Sequence, residues 1–401
     1  MRPTTRLLPV LSLGLAACSA SGGAETTAVV RDSAGITIVE NRSAAWGDTP
    51  RWLVSQEPLV DIGILDGPAE YQLFRAVDAV RLPDGRIVIA NSGTGELRYF
   101  NADGDHLLSV GRKGAGPGEF ESIGWIETIG SDSIIAYDSQ LGRVSTFDSA
   151  GKFVESRTIQ SIAGTRPFSA IARFANGSFL LRGTASIDPQ SLRTGLHRLP
   201  FTLFRSNEDG GADSLDTFPD AGTMIFIDAN SISVMAGEIM HRPALAAGEA
   251  RFIVGTQDEY EVEVRAADGE VERRIRWSGP DLTMTSDIIE RYRERRLAAV
   301  SSEEERRALE QRLASVQYPE KVPAYGTILF DVLGNLWVER FRGRGEEENR
   351  WDVFDGEGHL LGTVELPVGL QVDRIGEDFV LGRWTDDLDV EHVRLYQLTR
   401  Q

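Results

Sequence analysis

The chain has 401 residues, a formal charge of −19 and a single cysteine. A body with 42 Lys and Arg against 61 Asp and Glu argues against nucleic acid as a partner, because phosphate binding needs clustered cations. It also argues against lying flat on an anionic membrane, and one cysteine leaves no intramolecular disulfide, so packing must hold the fold.

In chain order, the N-terminus carries Arg2 and Arg6, followed by a mostly apolar run over residues 7–15. That run is too short to span a bilayer and reads as a signal-peptide core. It leads into Leu15, Ala16, Ala17 and Cys18, which resembles the lipobox of bacterial lipoproteins. Residues 1–17 are therefore expected to be cleaved, leaving a lipidated Cys18 as the new N-terminus. Residues 18–28 are small and polar, the composition of a flexible tether. Ser19 after the modified cysteine resembles the sorting signal for the outer membrane. The expected address is the bacterial cell envelope, with the lipid as the only membrane contact.

From residue 29 onward a strand–turn–strand cadence returns six times. Its first turns carry Gly85, Gly130, Gly177, Gly248, Gly334 and Gly376, each followed by β-branched or aromatic residues. Glycine suits tight hairpins that need a positive φ, and the residues after it suit a pleated strand. Second turns follow at Gly104, Gly151, Gly269 and Gly358, with a looser copy at Gly210. Two hairpins per unit make four strands, and the first spacings are 45 and 47 residues, the size of a propeller blade. The predicted fold is all-β, a six-bladed β-propeller over residues 29–401.

The sixth unit ends after residues 390–398 without a fourth strand. Residues 59–63, with Gly67 and Phe74 beyond, repeat the pattern of residues 108–111 with Gly116 and Phe120. This segment is expected to supply the missing strand and close the ring, which removes exposed sheet edges. A two-helix insertion is predicted at about residues 281–320, between blades four and five. Asp287 with Glu290 and Ser302 with Glu305 have capping-box spacing. Ile288, Ile289 and Tyr292 share one helix face, as do Leu309, Leu313 and Val316. The pair either rims the channel mouth or packs on the side of the ring. Residues 186–199 show no period and read as a loop.

The run from Phe74 to Asn91, continued through residues 114–120, resembles an NHL-type repeat. The chain from 29 to 398 is similar to bacterial six-bladed β-propeller lipoproteins of unassigned function, many of which open as residues 31–41 do here. The resemblance implies a fold more than an activity, since propellers host enzymes, scaffolds and receptors alike.

Residues ending second strands would line the face that carries ligands in propellers. They are Asn91, Asp138, Arg182, Arg340 and Arg383, with Tyr325 and Trp384 as aromatic walls. Converging arginines suit a small anionic or sugar-like ligand, or a protein partner; the plain alternative is that they form salt bridges or face solvent. Five histidines, at 106, 197, 241, 359 and 392, fall in no metal-binding or catalytic motif, and Pro117 disqualifies the glycine-rich run at 111–118 as a phosphate loop. No cofactor, metal or catalytic residue is expected. The favoured function is ligand or protein binding. The alternative is a propeller enzyme, such as a metal-dependent lactonase or a streptogramin-type lyase, although Arg182 and Arg383 would repel a central cation.

Overall fold

Four-stranded antiparallel sheets recur where the turn glycines place them. The computed structural model describes residues 27–401 apart from 131, 161, 163–164, 186–187, 208–210, 228–231, 238 and 342–347. The leader and Cys18 therefore lie outside the described residues. Blade 1 is built from Ala76–Arg81, Ile87–Asn91, Glu96–Phe100 and His106–Gly111, and blade 2 from Ile123–Ile129, Ser133–Asp138, Arg143–Phe147 and Phe153–Thr158. Blade 3 comprises Thr165–Arg173, Phe179–Ala185, Pro200–Ser206 and Ala212–Pro219; blade 4 comprises Ala244–Ala247, Arg251–Gly255, Glu261–Ala266 and Val271–Trp277. Blade 5 is Tyr325–Phe330, Leu336–Arg340, Asn349–Phe354 and Leu360–Leu366. Within each blade consecutive strands pair, so the first is innermost and the fourth outermost.

The turns form as their residues dictate. Gly85 and Gly104 adopt φ of 91° and 89°, a region that side chains with a Cβ rarely enter. The third-to-fourth turns are closed by side chains: the Oδ1 atoms of Asn101, Asp148 and Asp355 each accept two backbone N–H bonds from the residues that follow.

Packing falls into six seams, one between each pair of neighbouring blades. Val88, Leu97 and Tyr99 of blade 1 meet Ile126, Ile134 and Phe147 of blade 2. Ile135 and Tyr137 meet Phe179 and Leu181 between blades 2 and 3, and Leu180 and Leu203 meet Phe252 and Val254 between blades 3 and 4. Val262 and Ile275 meet Ile328 and Val338 in the next seam. Trp337 and Val353 meet Val380 and Tyr396 between blades 5 and 6, and Leu381 and Val393 meet Ile87 and Ile89 between blades 6 and 1. Each fully buried large side chain contributes about 1.5–3 kcal/mol, so these seams stabilise the ring without a cross-link.

Blade 6 joins the two ends of the chain. It consists of Gln371–Ile375, Phe379–Thr385 and Glu391–Arg400, completed by Val60–Ile62, which pairs antiparallel with residues 393–395. The closing strand expected at 59–63 is present. A second segment, Trp52–Val54, pairs with residues 398–400 beyond it.

Upstream of these strands lies a strap that sequence periodicity does not announce. Ala28–Ser33 and Ile36–Asn41 form a hairpin, and the second of these strands adds in parallel to Val271–Trp277 at the outer edge of blade 4. Asn41 fixes the join: its Nδ2 donates to the carbonyls of Arg276 and Gly358, and its Oδ1 accepts from Leu360 N–H. The chain then crosses to blade 5, where Ala45 and Trp46 N–H groups bond to Leu360 and Leu361 carbonyls. Trp46 lies on Gly362, where any Cβ would collide with its ring. Residues 28–62 thus bind the outer edges of blades 4, 5 and 6 in turn.

Antiparallel order puts fourth-to-first and second-to-third connections on one side of the ring. That side carries the insertions. Helix α1 (Ser286–Ala298) and helix α2 (Glu303–Ala314) lie between blades 4 and 5 as predicted. Ser302 caps α2, but Thr285 rather than Asp287 caps α1, because its hydroxyl accepts the Ile288 N–H. Residues 186–199 are not simply a loop: Gly195–His197 pairs with Thr223–Ile227, which pairs with Ile232–Ala236 in a small separate sheet. The helices pack on this sheet and its flank through Tyr292, Leu313 and Ile239, with Met235 and Phe341 alongside. Met224 and Met240 cover Val316. Sheet and helices together form a cap on the connection side of blades 3 to 5.

Candidate functional site

The residues predicted to line the cap-bearing face are held by the ring itself. Asn91 and Asp138, both buried, share one task at equivalent positions. Asn91 Oδ1 accepts Phe74 N–H at 2.8 Å, while Nδ2 donates to Thr94 at 2.8 Å. Asp138 Oδ2 accepts Glu121 and Ser122 N–H at 2.7 and 3.1 Å, and Oδ1 accepts Gln140 and Leu141 N–H. Each ties the strand entering its blade to its second-to-third turn.

Each of the three arginines is held by an aspartate. Arg182 pairs with Asp220 and lies 4.4 Å above the Phe201 ring. Arg340 grips Asp352 at 2.9 and 3.1 Å, bonds Thr363, and covers Trp277 at 5.1 Å. Arg383 reaches Asp373 at 3.0 and 3.2 Å and the Ala76 carbonyl at 3.3 Å. Tyr325, opposite Arg340 in blade 5, is buried; its hydroxyl donates to the Glu261 carbonyl at 2.9 Å, and burial pushes its pKa up. Trp384 bonds the Val368 carbonyl, with Arg394 3.5 Å above its ring. Tyr325 and Arg340 form a cross-strand pair, whereas Arg182 and Arg383 are engaged separately on blades 3 and 6.

The innermost strands carry a polar network that links blades 6, 1 and 2. Arg374 donates to both Asp78 oxygens at 3.1 and 3.2 Å and to the Ile126 carbonyl at 2.6 Å. Asp78 in turn accepts Ile126 N–H at 2.9 Å. Burial, followed by repulsion from Asp78, pushes the Asp373 carboxyl up to about 7 against the pull of Arg383 and Arg374. Burial also raises Glu127 beside Arg374.

This network makes stability depend on pH in a definite direction. The folded state keeps its proton on Asp373 across a range where an unfolded carboxyl, near 3.9, has lost it. Stability is then fully present below that unfolded value and falls as pH rises toward 7. The parent should melt at lower temperature at pH 7 than at pH 5, and Asp373→Asn should flatten that difference in paired thermal scans. An unchanged slope in the variant would assign the dependence elsewhere.

A cavity of about 460 Å³ opens on the cap-bearing side, at the outer rim of blade 4 rather than in the channel. Its walls come from three strand ends: Glu40, Asn41 and Arg42 of the strap, Glu259 to Glu261, and Arg276 to Ser278. None of the six predicted residues lines it, although Tyr325 packs on Tyr260 and Arg340 on Trp277 behind the wall. Tyr260 donates to buried Asp352 at 2.9 Å and stands edge-on to Trp277. Arg276 is shared between Glu261 and Glu40, and Lys321 pairs with Glu259 at the edge. Arg42 is exposed and has no side-chain partner among the described residues. The cavity therefore offers two aromatic walls, ion-paired carboxylates and one free guanidinium. Sequence reasoning missed it because one wall is the strap, whose parallel pairing joins residues more than 230 apart. Among the described residues no three His, Cys, Asp or Glu side chains gather as a metal-ligand set.

Residues 69–185 match a family model described as a 6-bladed beta-propeller. No curated protein matches the chain. Among solved structures, a member of the DUF4221 family from Bacteroides vulgatus aligns with a TM-score of 0.52 at 11% identity, covering 88% of this chain and 99% of its own. A Bacteroides fragilis protein whose name suggests export aligns at 0.46 and 13% identity, covering 91% and 99%. Virginiamycin B lyase from Staphylococcus aureus aligns at 0.41 and 8% identity, covering 87% and 99%. With the six blades and six seams in view, the first of these likenesses and the family match agree on one conclusion: the chain folds as a six-bladed β-propeller.

Proposed function

We infer that the protein is a lipoprotein of the bacterial cell envelope, with NHL-type repeats, that binds a ligand on its cap-bearing face without turning it over. The supporting observation is the cavity of about 460 Å³ on that face, a volume in the range of small-molecule sites. Its aromatic walls and ion-paired carboxylates suit a compact polar ligand, sugar-like or anionic, or a side chain presented by a protein partner. Of the arginines foreseen as ligand contacts, Arg340 supports the wall through Trp277, while Arg182 and Arg383 are held by Asp220 and Asp373 on other blades. The address rests on Cys18 and the leader before it. No helix among the described residues is long and apolar enough to cross a membrane, which leaves the lipid as the proposed anchor.

The test fills the cavity. Ser278 is exposed at its rim, so Ser278→Trp should leave the folding stability within about 0.5 kcal/mol of the parent's. It should also abolish capture of the ligand from a delipidated envelope extract, read by mass spectrometry of what each protein retains. Equal retention by parent and variant would discard the site. Metal-dependent hydrolysis of a lactone by the parent would discard the non-enzymatic reading.

A further inference from the structure

The strap fixes where the chain leaves the ring, and this favours one face for the approach to the lipid. Val271–Trp277 is the outermost strand of blade 4 and runs toward the connection that carries the helices. Ile36–Asn41 lies parallel to it, and Ala28 sits opposite Asn41 in the preceding antiparallel strand. The described chain therefore begins on the cap-bearing side. Thr27 is pinned there, its carbonyl accepting the N–H groups of Arg42 and Ser43 at 2.8 and 3.2 Å. Nine residue steps lead from Cys18 to Thr27. Fully extended they reach about 30 Å, and as a flexible coil about 15–18 Å. Most blade strands have five to seven residues, which places the opposite face about 20 Å further along.

Exposed apolar side chains do not distinguish the faces: Leu65, Phe74, Val368 and Leu388 lie in connections on the cap-bearing side, and Leu59, Leu107, Val154, Val332 and Leu333 lie at turns and strand starts on the other. Charge agrees with the geometry of the exit point. Residues 285–316 carry seven acidic and seven basic side chains, so this part of the surface is neutral in a body of charge −19. An anionic lipid surface repels such a neutral stretch less than it repels the acidic body as a whole.

We propose that the cap-bearing face is the surface the protein turns toward the lipid bilayer, with the blade 4 cavity opening into the gap between ring and membrane. This rests on the lipidation of Cys18 inferred above. Lipidation consumes the only thiol, so single introduced cysteines report position. Leu388→Cys and Leu65→Cys would mark the cap-bearing side, and Leu333→Cys and Leu107→Cys the other; all four positions are exposed. Each full-length lipidated variant carries a fluorescent label and is reconstituted in phosphatidylethanolamine–phosphatidylglycerol vesicles containing a headgroup-spin-labelled lipid. Quenching should be several-fold stronger at 388 and 65 than at 333 and 107. Equal or reversed quenching in protein that floats with the vesicles would overturn the orientation while leaving the anchor standing. Failure of the parent to float, or flotation of Cys18→Ala as well, would overturn the anchor and the orientation with it.

Discussion

Deleting residues 58–63 is expected to abolish the cooperative melting transition of the whole ring. The segment contributes the fourth strand of blade 6, and Val60 and Ile62 are buried in the seam with blade 1. Removing those two side chains alone forfeits about 3–6 kcal/mol. That is a large share of the roughly 5–15 kcal/mol that holds a typical domain together. The deletion also frees the long edge of Glu391–Arg400, a template for aggregation. The double variant Val60→Ala/Ile62→Ala keeps the backbone pairing and should lie between parent and deletion in a thermal scan. A deletion protein that melts with the parent would show that the ring does not depend on this strand.

The second large effect is expected from Asp331→Ala. This carboxylate lies at the first turn of blade 5 with its side chain wholly buried. Its Oδ1 accepts Leu333 and Asn335 N–H, and its Oδ2 accepts Trp337 Nε1 at 3.0 Å, Asn335 Nδ2 at 2.9 Å and Arg400 Nη1 at 2.9 Å. Arg400 in turn covers Trp52 at 4.2 Å, and Trp52 contacts Trp46 and Trp337. One aspartate thus ties a turn of blade 5 to the last strand of blade 6 and to the strap. Removing it strands the Arg400 charge and a buried indole N–H, at a cost of about 3–5 kcal/mol. Denaturant titration should show that loss in the midpoint; Asp331→Asn, which keeps an acceptor, should recover part of it. A variant within about 0.5 kcal/mol of the parent, the range of an ordinary surface change, would refute the role.

Most of the ring is legible in the residues because its units are local. A blade needs hairpin turns and alternating strands, and Gly85, Gly104, Gly130 and Gly151 with their neighbours declare both within a dozen residues. Closure was legible for a related reason: residues 59–63 repeat residues 108–111 and have no blade of their own. The strap was not, because Ile36–Asn41 pairs in parallel with Val271–Trp277, and nothing in either segment names the other. The small sheet of the cap escaped notice because its strands are only three to five residues long and come from two insertions. The second-strand residues stand where the repeat puts them. Their bonding depends on partners such as Asp220, Asp352 and Asp373 that periodicity does not single out. The cavity lies at a junction of strap and blade 4, so it could be no more visible than the strap itself.

The doubly joined sixth blade has a consequence for how the chain becomes folded. Asp61 and Arg394, bonded to one another, are 333 positions apart, so this blade forms only when both ends are present. A chain that emerges from its N-terminus first exposes Trp52–Val54 and Val60–Ile62 long before residues 391–400 exist. Blades 1 to 5 are local and can form as they appear, but the strap must wait for blades 4, 5 and 6. High contact order of this kind slows the final step and prolongs the time in which unpaired edges are open to other chains. The same arrangement makes assembly a test of completeness: a chain truncated before blade 6 leaves Trp52–Val54 and Val60–Ile62 without their partner strand.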